Sequence, residues 1–180
     1  HLSLGLTGAL ITHVNLFESF GDRILKSLKE RRINAYPIFI PEGESSKCLP
    51  WAERIYQVML DSGLDRSSFV MALGGGVVGD LAGFIAATYM RGIDVVQIPT
   101  TLLAQVDASI GGKTAVNLVA GKNLVGVFHQ PKLVLADVNS LSTLSPREFK
   151  SGMAEVIKYG VIKDVELFEF LEKEHKKVLA

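Results

Sequence analysis

Apolar and polar positions along the chain follow two periods in turn. Residues 8–14, "GALITHV", form an uncharged run of strand length, and 16–32 then place Leu16, Phe20, Ile24, Leu25 and Leu28 at helical spacing between charges. "AYPIFI" at 35–40 predicts a second strand, "PEGESSK" a polar loop, and 51–62 a helix with Trp51, Ile55, Val58 and Met59 on one side. The uncharged run at 68–73 suits a buried parallel strand. "LAGFIAATYM" at 81–90 is apolar on every side, as expected of a helix packed against a sheet, and "DVVQIP" at 94–99 and "KLVLADV" at 132–138 predict further strands. Such alternation predicts an α/β fold: a Rossmann-like, doubly wound, mostly parallel sheet that binds ligands beyond the carboxyl ends of its strands.

Two stretches break the alternation. Residues 99–131 are rich in Thr, Gly, Lys and Asn and fit neither period, which predicts an irregular binding surface. From Ser145 the pattern turns helical, with Ser145-Pro146-Arg147-Glu148 supplying a cap, a first-turn proline and an acid at the positive end of the dipole. The expected organisation is therefore an α/β domain over 1–144 and the start of an all-α domain over 145–180. The chain begins at His1 and stops at Leu179–Ala180 inside a helical pattern, which predicts a piece of a longer protein.

Composition narrows the function. Hydrophobic residues make up 48% of the 180, ample for a packed core, and 19 basic residues balance 19 acidic ones. Neither nucleic acid nor an anionic membrane is expected as a partner, so an anionic ligand must be met by local lysines. Cys48 is the single cysteine, which excludes an internal disulfide and predicts a reducing cytoplasm. The first seventeen residues lack Asp, Glu, Lys and Arg, yet Gly, Thr, His and Asn interrupt them; neither a leader nor a membrane helix is expected there.

Gly74, Gly76 and Gly79 have the G-x-G-x-x-G spacing that seats a pyrophosphate on a helix N-terminus, after a predicted strand and before a predicted helix. Taken alone, the spacing fits a tight strand-to-helix turn equally well. The ribose-binding acid of a standard dinucleotide fold is missing, because Asp94 begins the next strand and no acid ends it near Thr100. "DASIGGKT" at 107–114 ends like a P-loop, but Asp107 stands where that loop needs glycine. Lys113 and Lys122-Asn123 lie in small-residue loops and are the sole charges between Asp107 and Lys132, which suggests a phosphate ligand. Asp107 and Glu155 are acids among uncharged neighbours; Glu155 and Lys158 share a helix face, and spacing alone favours an ion pair. The histidines at 1, 13, 129 and 175 show no metal-binding spacing.

In combination these blocks are more specific. "ALGGGVVGDLAGFIAATYMRGI", "QIPTTLLAQVDASIGGKTAVN", "GKNLVGVFHQP" and "SGMAEVIKYG", in this order, resemble the 3-dehydroquinate synthase family, from about Leu10 onward. The resemblance implies an NAD- and zinc-dependent lyase (cobalt being an alternative metal) that converts 3-deoxy-D-arabino-heptulosonate 7-phosphate to 3-dehydroquinate and phosphate, with NAD reduced only transiently. It implies a homodimer acting on a phosphorylated sugar acid. By motif position, Glu44 and Lys47 would touch the adenosine ribose; Gly75, Gly76, Val77, Gly79 and Asp80 the pyrophosphate; and Thr100, Thr101 and Thr143 further parts of NAD. Lys113, Lys122 and Asn123 would form the nucleotide and substrate-phosphate cluster, and Arg91 would reach a neighbouring subunit's phosphate. Asp107 and Lys158 would flank the reacting hydroxyls, and Glu155 would be one zinc ligand, the other two lying outside these residues. The family's first strand is expected to be missing or altered ahead of Gly8. The 180 residues alone are expected to be inactive. Related sugar-phosphate cyclases such as 2-deoxy-scyllo-inosose synthase, glycerol-type dehydrogenases and a non-catalytic NAD-binding remnant are the competing readings.

Overall fold

The computed structural model describes residues 4–178, so His1 and Leu179–Ala180 lie outside the described residues. In order, the chain forms β1 (Thr7–Thr12), α1 (Val14–Leu16), a π-turn at Phe17–Gly21, α2 (Asp22–Glu30), β2 (Asn34–Phe39), α3 (Leu49–Asp61), β3 (Phe69–Gly74), α4 (Gly76–Thr88), β4 (Asp94–Pro99), β5 (Lys113–Leu118), β6 (Gly121–Phe128), β7 (Leu133–Val134), α5 (Pro146–Lys163) and α6 (Val165–Val178). Five strands make one parallel sheet in the order β2-β1-β3-β4-β7. Strand order reverses between β1 and β3, the place where a doubly wound sheet opens a crevice at its carboxyl edge.

Strand alternation builds two cores. Ala9, Ile11, Val70 and Ala72 face α3 and α4, burying Ile55, Met59, Leu81 and Ile85. Leu10, Phe69, Met71 and Leu73 face the other way, onto Phe17, Phe20, Ile24 and Leu28. Since β3 is buried along all six residues, it reads as a continuous apolar run. Each large aliphatic side chain withdrawn from water in these layers contributes roughly 1.5–3 kcal/mol.

The structure differs from the sequence reading in three places. Residues 113–128 are not irregular: β5 and β6 pair antiparallel as a hairpin lying against α4. Helix α4 is therefore apolar all round because it is covered by the sheet on one side and by Thr114 and Val116 of the hairpin on the other. It also starts five residues earlier than expected, at Gly76 itself. The last strand shrinks to Leu133–Val134, which pair with Val96 and Gln97. The cap is as read: Ser145 Oγ accepts from the Glu148 N–H at 3.3 Å.

Candidate active site

The turn from β3 into α4 is shaped by packing on both sides. A Cβ on Gly74 would stand 2.6 Å from Val78 Cγ2, and one on Gly79 2.9 Å from Gln97 Oε1. Gln97 in turn donates from Nε2 to the Gly79 carbonyl at 3.1 Å. Two of the three fingerprint glycines thus serve helix–sheet contact, and Gly79 does not line the cleft. The third position differs: a Cβ on Gly76 would be in ordinary contact at 3.4 Å from Ala108. Gly75 precedes α4 with extended backbone and no capping side chain, so the first N–H groups of α4 are free for an anion.

That turn opens into a cleft of about 440 Å³ at the carboxyl edge of the sheet. Gly75, Gly76, Val77, Thr100, Thr101 and Thr143, scattered over nearly seventy positions of sequence, all line it. His13, Asn15, Glu42 and Glu148 line it too, and sequence reasoning missed them. The signal that could have found His13 and Glu42 is position: His13 follows the carboxyl end of β1, which flanks the order reversal, and Glu42 that of β2 beside it.

A second cavity, of about 430 Å³, lies on the hairpin side of α4. Asp80, Asp107, Lys113 and Asn123 line it, with Ile110 and Phe128 as apolar walls. Behind it, Lys47 is buried at 4% exposure and lines neither cavity. Its ammonium pairs with Asp80 and donates to Asn123 Oδ1 at 2.6 Å. The expected contact between Lys47 and a nucleotide is thus replaced by a bond joining the β2–α3 loop, α4 and the hairpin. Burial pushes the Asp80 carboxyl above the usual carboxylate range, with the Lys47 ammonium opposing and Glu44 and Asp107 adding to the rise. Asn123 reaches this position through a left-handed backbone, φ +57°, held by its N–H donating to Asn117 Oδ1 at 2.9 Å.

The two loop lysines do not converge on one point. Lys113 opens β5, while Lys122 sits beside the turn at the other end of the hairpin, about 15 Å away by strand rise. Lys122 is exposed and stands 3.8 Å from Glu44, which also accepts from Asn117 Nδ2 at 2.8 Å. Arg91 is exposed at the far end of α4, about 20 Å from the glycine turn, with φ +69°.

Helix α5 brings a further group towards Asp107. Gly152 lets it approach closely, since a Cβ there would meet Leu102 Cβ at 2.6 Å, and Tyr159 donates to the Val106 carbonyl at 3.0 Å. The Lys158 ammonium lies against the Glu155 carboxylate, which raises the Lys158 pKa, and Asp107 adds to the rise. The oxygen of Glu155 that meets this ammonium is the buried Oε1. A buried carboxylate oxygen that already faces a cation is of the donor type that could hold a metal ion instead, so Glu155 fits one position of a metal site. No group of three or more His, Cys, Asp or Glu gathers among the described residues, so the site is not complete within them.

Known proteins resemble the chain over nearly all of its length. The chain is 55% identical over 170 residues to the 3-dehydroquinate synthase of Thermoanaerobacter sp. (strain X514), covering 94% of this chain and 48% of that protein. It is 52% identical over 180 residues to the 3-dehydroquinate synthase of Symbiobacterium thermophilum, covering 100% and 50%. The chain thus spans about half the length of these relatives. Among solved structures, the 2-epi-5-epi-valiolone synthase of Streptomyces hygroscopicus subsp. jinggangensis 5008, with NAD+ and Zn2+ bound, superposes with a TM-score of 0.89 at 32% identity, covering 97% of this chain and 49% of that one. A 2-deoxy-scyllo-inosose synthase complexed with carbaglucose-6-phosphate, NAD+ and Co2+ gives 0.82 at 31%, covering 89% and 43%. An iron-containing alcohol dehydrogenase of Thermotoga maritima shares the fold alone, at 0.72 and 19%. The profile described as "3-dehydroquinate synthase N-terminal" matches residues 37–151, from β2 through the glycine turn and the hairpin into α5, and on that match the chain belongs to the 3-dehydroquinate synthase family.

Proposed function

We propose that the protein containing this chain converts 3-deoxy-D-arabino-heptulosonate 7-phosphate to 3-dehydroquinate and phosphate. The observation that carries this reading is the placing of Lys113, Asn123 and Asp107 in one cavity that adjoins the glycine-turn cleft where Gly76 meets Ala108. An oxidisable, phosphorylated substrate needs those two features side by side: a seat for a nucleotide and a cationic seat for phosphate. In this reading NAD supplies a hydride acceptor that is restored within each turnover, and a zinc or cobalt ion supplies Lewis acidity at the hydroxyl being oxidised.

The chain's own residues divide the remaining tasks. The α4 N-terminus and Thr100, Thr101 and Thr143 hold the nucleotide; Glu44, which lines neither cavity and has Lys122 3.8 Å away, is assigned its adenosine ribose. Lys113 and Asn123 hold the phosphate. Asp107 and Lys158 orient the hydroxyls and hold the protons that move, while Glu155 offers its buried oxygen to the metal. Arg91 lines neither cavity, which fits a homodimer in which it serves the other copy. The domain boundary near residue 144 and a cytoplasmic location belong to the same reading. Relatives at 51–56% identity favour the dehydroquinate product over those of the cyclases at 31–32%.

The test is to incubate the full-length protein with the heptulosonate phosphate and catalytic NAD. Phosphate release with no net NADH is expected. Net NADH would replace this reading with a dehydrogenase, and no turnover at all would favour a non-catalytic NAD-binding protein. Lys113→Ala is expected to weaken inorganic phosphate binding about tenfold, the scale of one charge-assisted hydrogen bond to a group that stays partly hydrated. Equilibrium titration checks it, and unchanged affinity would remove Lys113 from the phosphate seat.

A further inference from the structure

Lys113 is exposed, and no carboxylate pairs with it among the described residues, so its place depends on the backbone that carries it. That backbone enters β5 through a Gly-Gly turn in the left-handed region, Gly111 at φ +90° and Gly112 at φ +68°. Glycine has little conformational preference of its own, so groups outside the turn must fix the direction in which β5 starts. The two residues after β6 do so. Gln130 wraps the turn: its Nε2 donates to the Gly111 carbonyl at 3.2 Å, and a Cβ on Gly112 would lie 2.9 Å from its Cδ. His129 holds the turn and also ties it to another element. Its backbone N–H donates to the Gly112 carbonyl at 2.7 Å, and its ring Nε2 lies 2.9 Å from the Ile93 carbonyl.

That carbonyl is a fixed point. Ile93 is buried, its N–H donates to the Ala86 carbonyl of α4 at 2.8 Å, and it leads directly into β4. A carbonyl can only accept, so the ring proton of His129 sits on Nε2. The hairpin is thus pinned at both ends of α4: by Lys47 with Asp80 and Asn123 near the start of the helix, and by His129 near its end. The His129 ring lines neither cavity, so it has no direct access to a ligand there. We infer that His129 is a positioning residue for Lys113: its ring N–H anchors the Gly111–Gly112 turn to Ile93 and so aims the Lys113 ammonium into the cavity it shares with Asp107 and Asn123. This inference rests on the phosphate role given to Lys113 above.

The experiment titrates the full-length protein with inorganic phosphate and, separately, with NAD, far-UV circular dichroism confirming that each variant folds. His129→Phe keeps a ring and removes the donor, and is expected to weaken phosphate binding about fivefold, the scale of one net hydrogen bond, while NAD affinity stays within about twofold. His129→Gln, whose amide nitrogen reaches the place of Nε2, should restore phosphate affinity to within about twofold of the parent. Should H129F not fold, His129→Asn takes its place, its shorter amide falling short of Ile93, with the same loss expected. In a Lys113→Ala background H129F should add less than about twofold, because the two residues act through one ammonium. Unchanged phosphate affinity in H129F, no recovery in H129Q, an equal loss of NAD affinity, or a full additive loss in the double variant overturns the inference while the Lys113 seat stands. A parent that binds no phosphate, or a Lys113→Ala variant that binds it unchanged, overturns both.

Discussion

Lys47 carries a charge where almost no water reaches it. Its partners are a carboxylate and an amide on two other elements, so its loss strands Asp80 beside Glu44 and Asp107. Breaking a buried pair from one side costs about 3–5 kcal/mol, and the partial exposure of Asp80 lowers the expectation to about 2–3 kcal/mol for Lys47→Met at pH 7. The pH dependence follows from Asp80. Its folded pKa lies above the unfolded value, so its contribution to stability is complete below the unfolded value and declines as pH rises through the folded one. Removing the ammonium raises the folded value further, while in the parent protonation of Asp80 leaves Lys47 without its counter-charge. The stability gap between K47M and the parent should therefore close as pH falls towards 4, which urea denaturation at several pH values will show. A gap independent of pH would mean that Lys47 acts through packing alone.

At the scale of elements the hairpin is the informative case. Strand β3 and helix α4 were legible because each is buried on all sides and reads as an uninterrupted apolar run. The hairpin was not, because its outer strand exposes side chains on both faces, Leu124 and Val127 among them, and a register shift falls between Val116 and Leu118. Period-2 alternation survives only at Thr114 and Val116, too few positions to stand out. The same irregularity puts Asn123 in its left-handed conformation and so makes the site. Candidate residues were legible one at a time from charge in apolar surroundings, but their grouping was not, since hairpin register decides that Lys113 shares a cavity with Asp107 while Lys122 stands by Glu44. Gly126 tests how tightly the hairpin is set: a Cβ there would lie 2.1 Å from the Thr114 carbonyl oxygen, which is backbone and cannot swing aside. Gly126→Ala should destabilise by about 2–3 kcal/mol, at the upper end for overpacking, and weaken phosphate binding as Lys113 and Asn123 move apart. Thermal melts and phosphate titration read the two effects. A normal melt with lost phosphate binding would place the strain in the site alone.

For the whole molecule, the apolar surface of α5 and α6 and the state of Glu155 point the same way. Ile157, Val161, Ile162, Val165 and Phe170 are exposed on this helical pair, while the relatives are about twice as long as this chain. Glu155 meanwhile presents its buried Oε1 to the Lys158 ammonium. A catalytic zinc takes about three protein ligands, and one carboxylate in water holds such an ion weakly. The 180 residues alone should therefore bind less than one equivalent of zinc at micromolar concentration, whereas the full-length protein should bind one. Glu155→Gln in the full-length protein should lower that affinity at least about tenfold, because it replaces an anionic ligand by a neutral amide of the same shape. Equilibrium dialysis with metal analysis separates these cases without any assay of turnover. Tight one-to-one zinc binding by the 180 residues would mean that the ligand set lies within them and that Glu155 has been given the wrong role. Unaltered zinc affinity in E155Q would leave its buried oxygen as half of an ion pair with Lys158, the reading that sequence spacing favoured on its own.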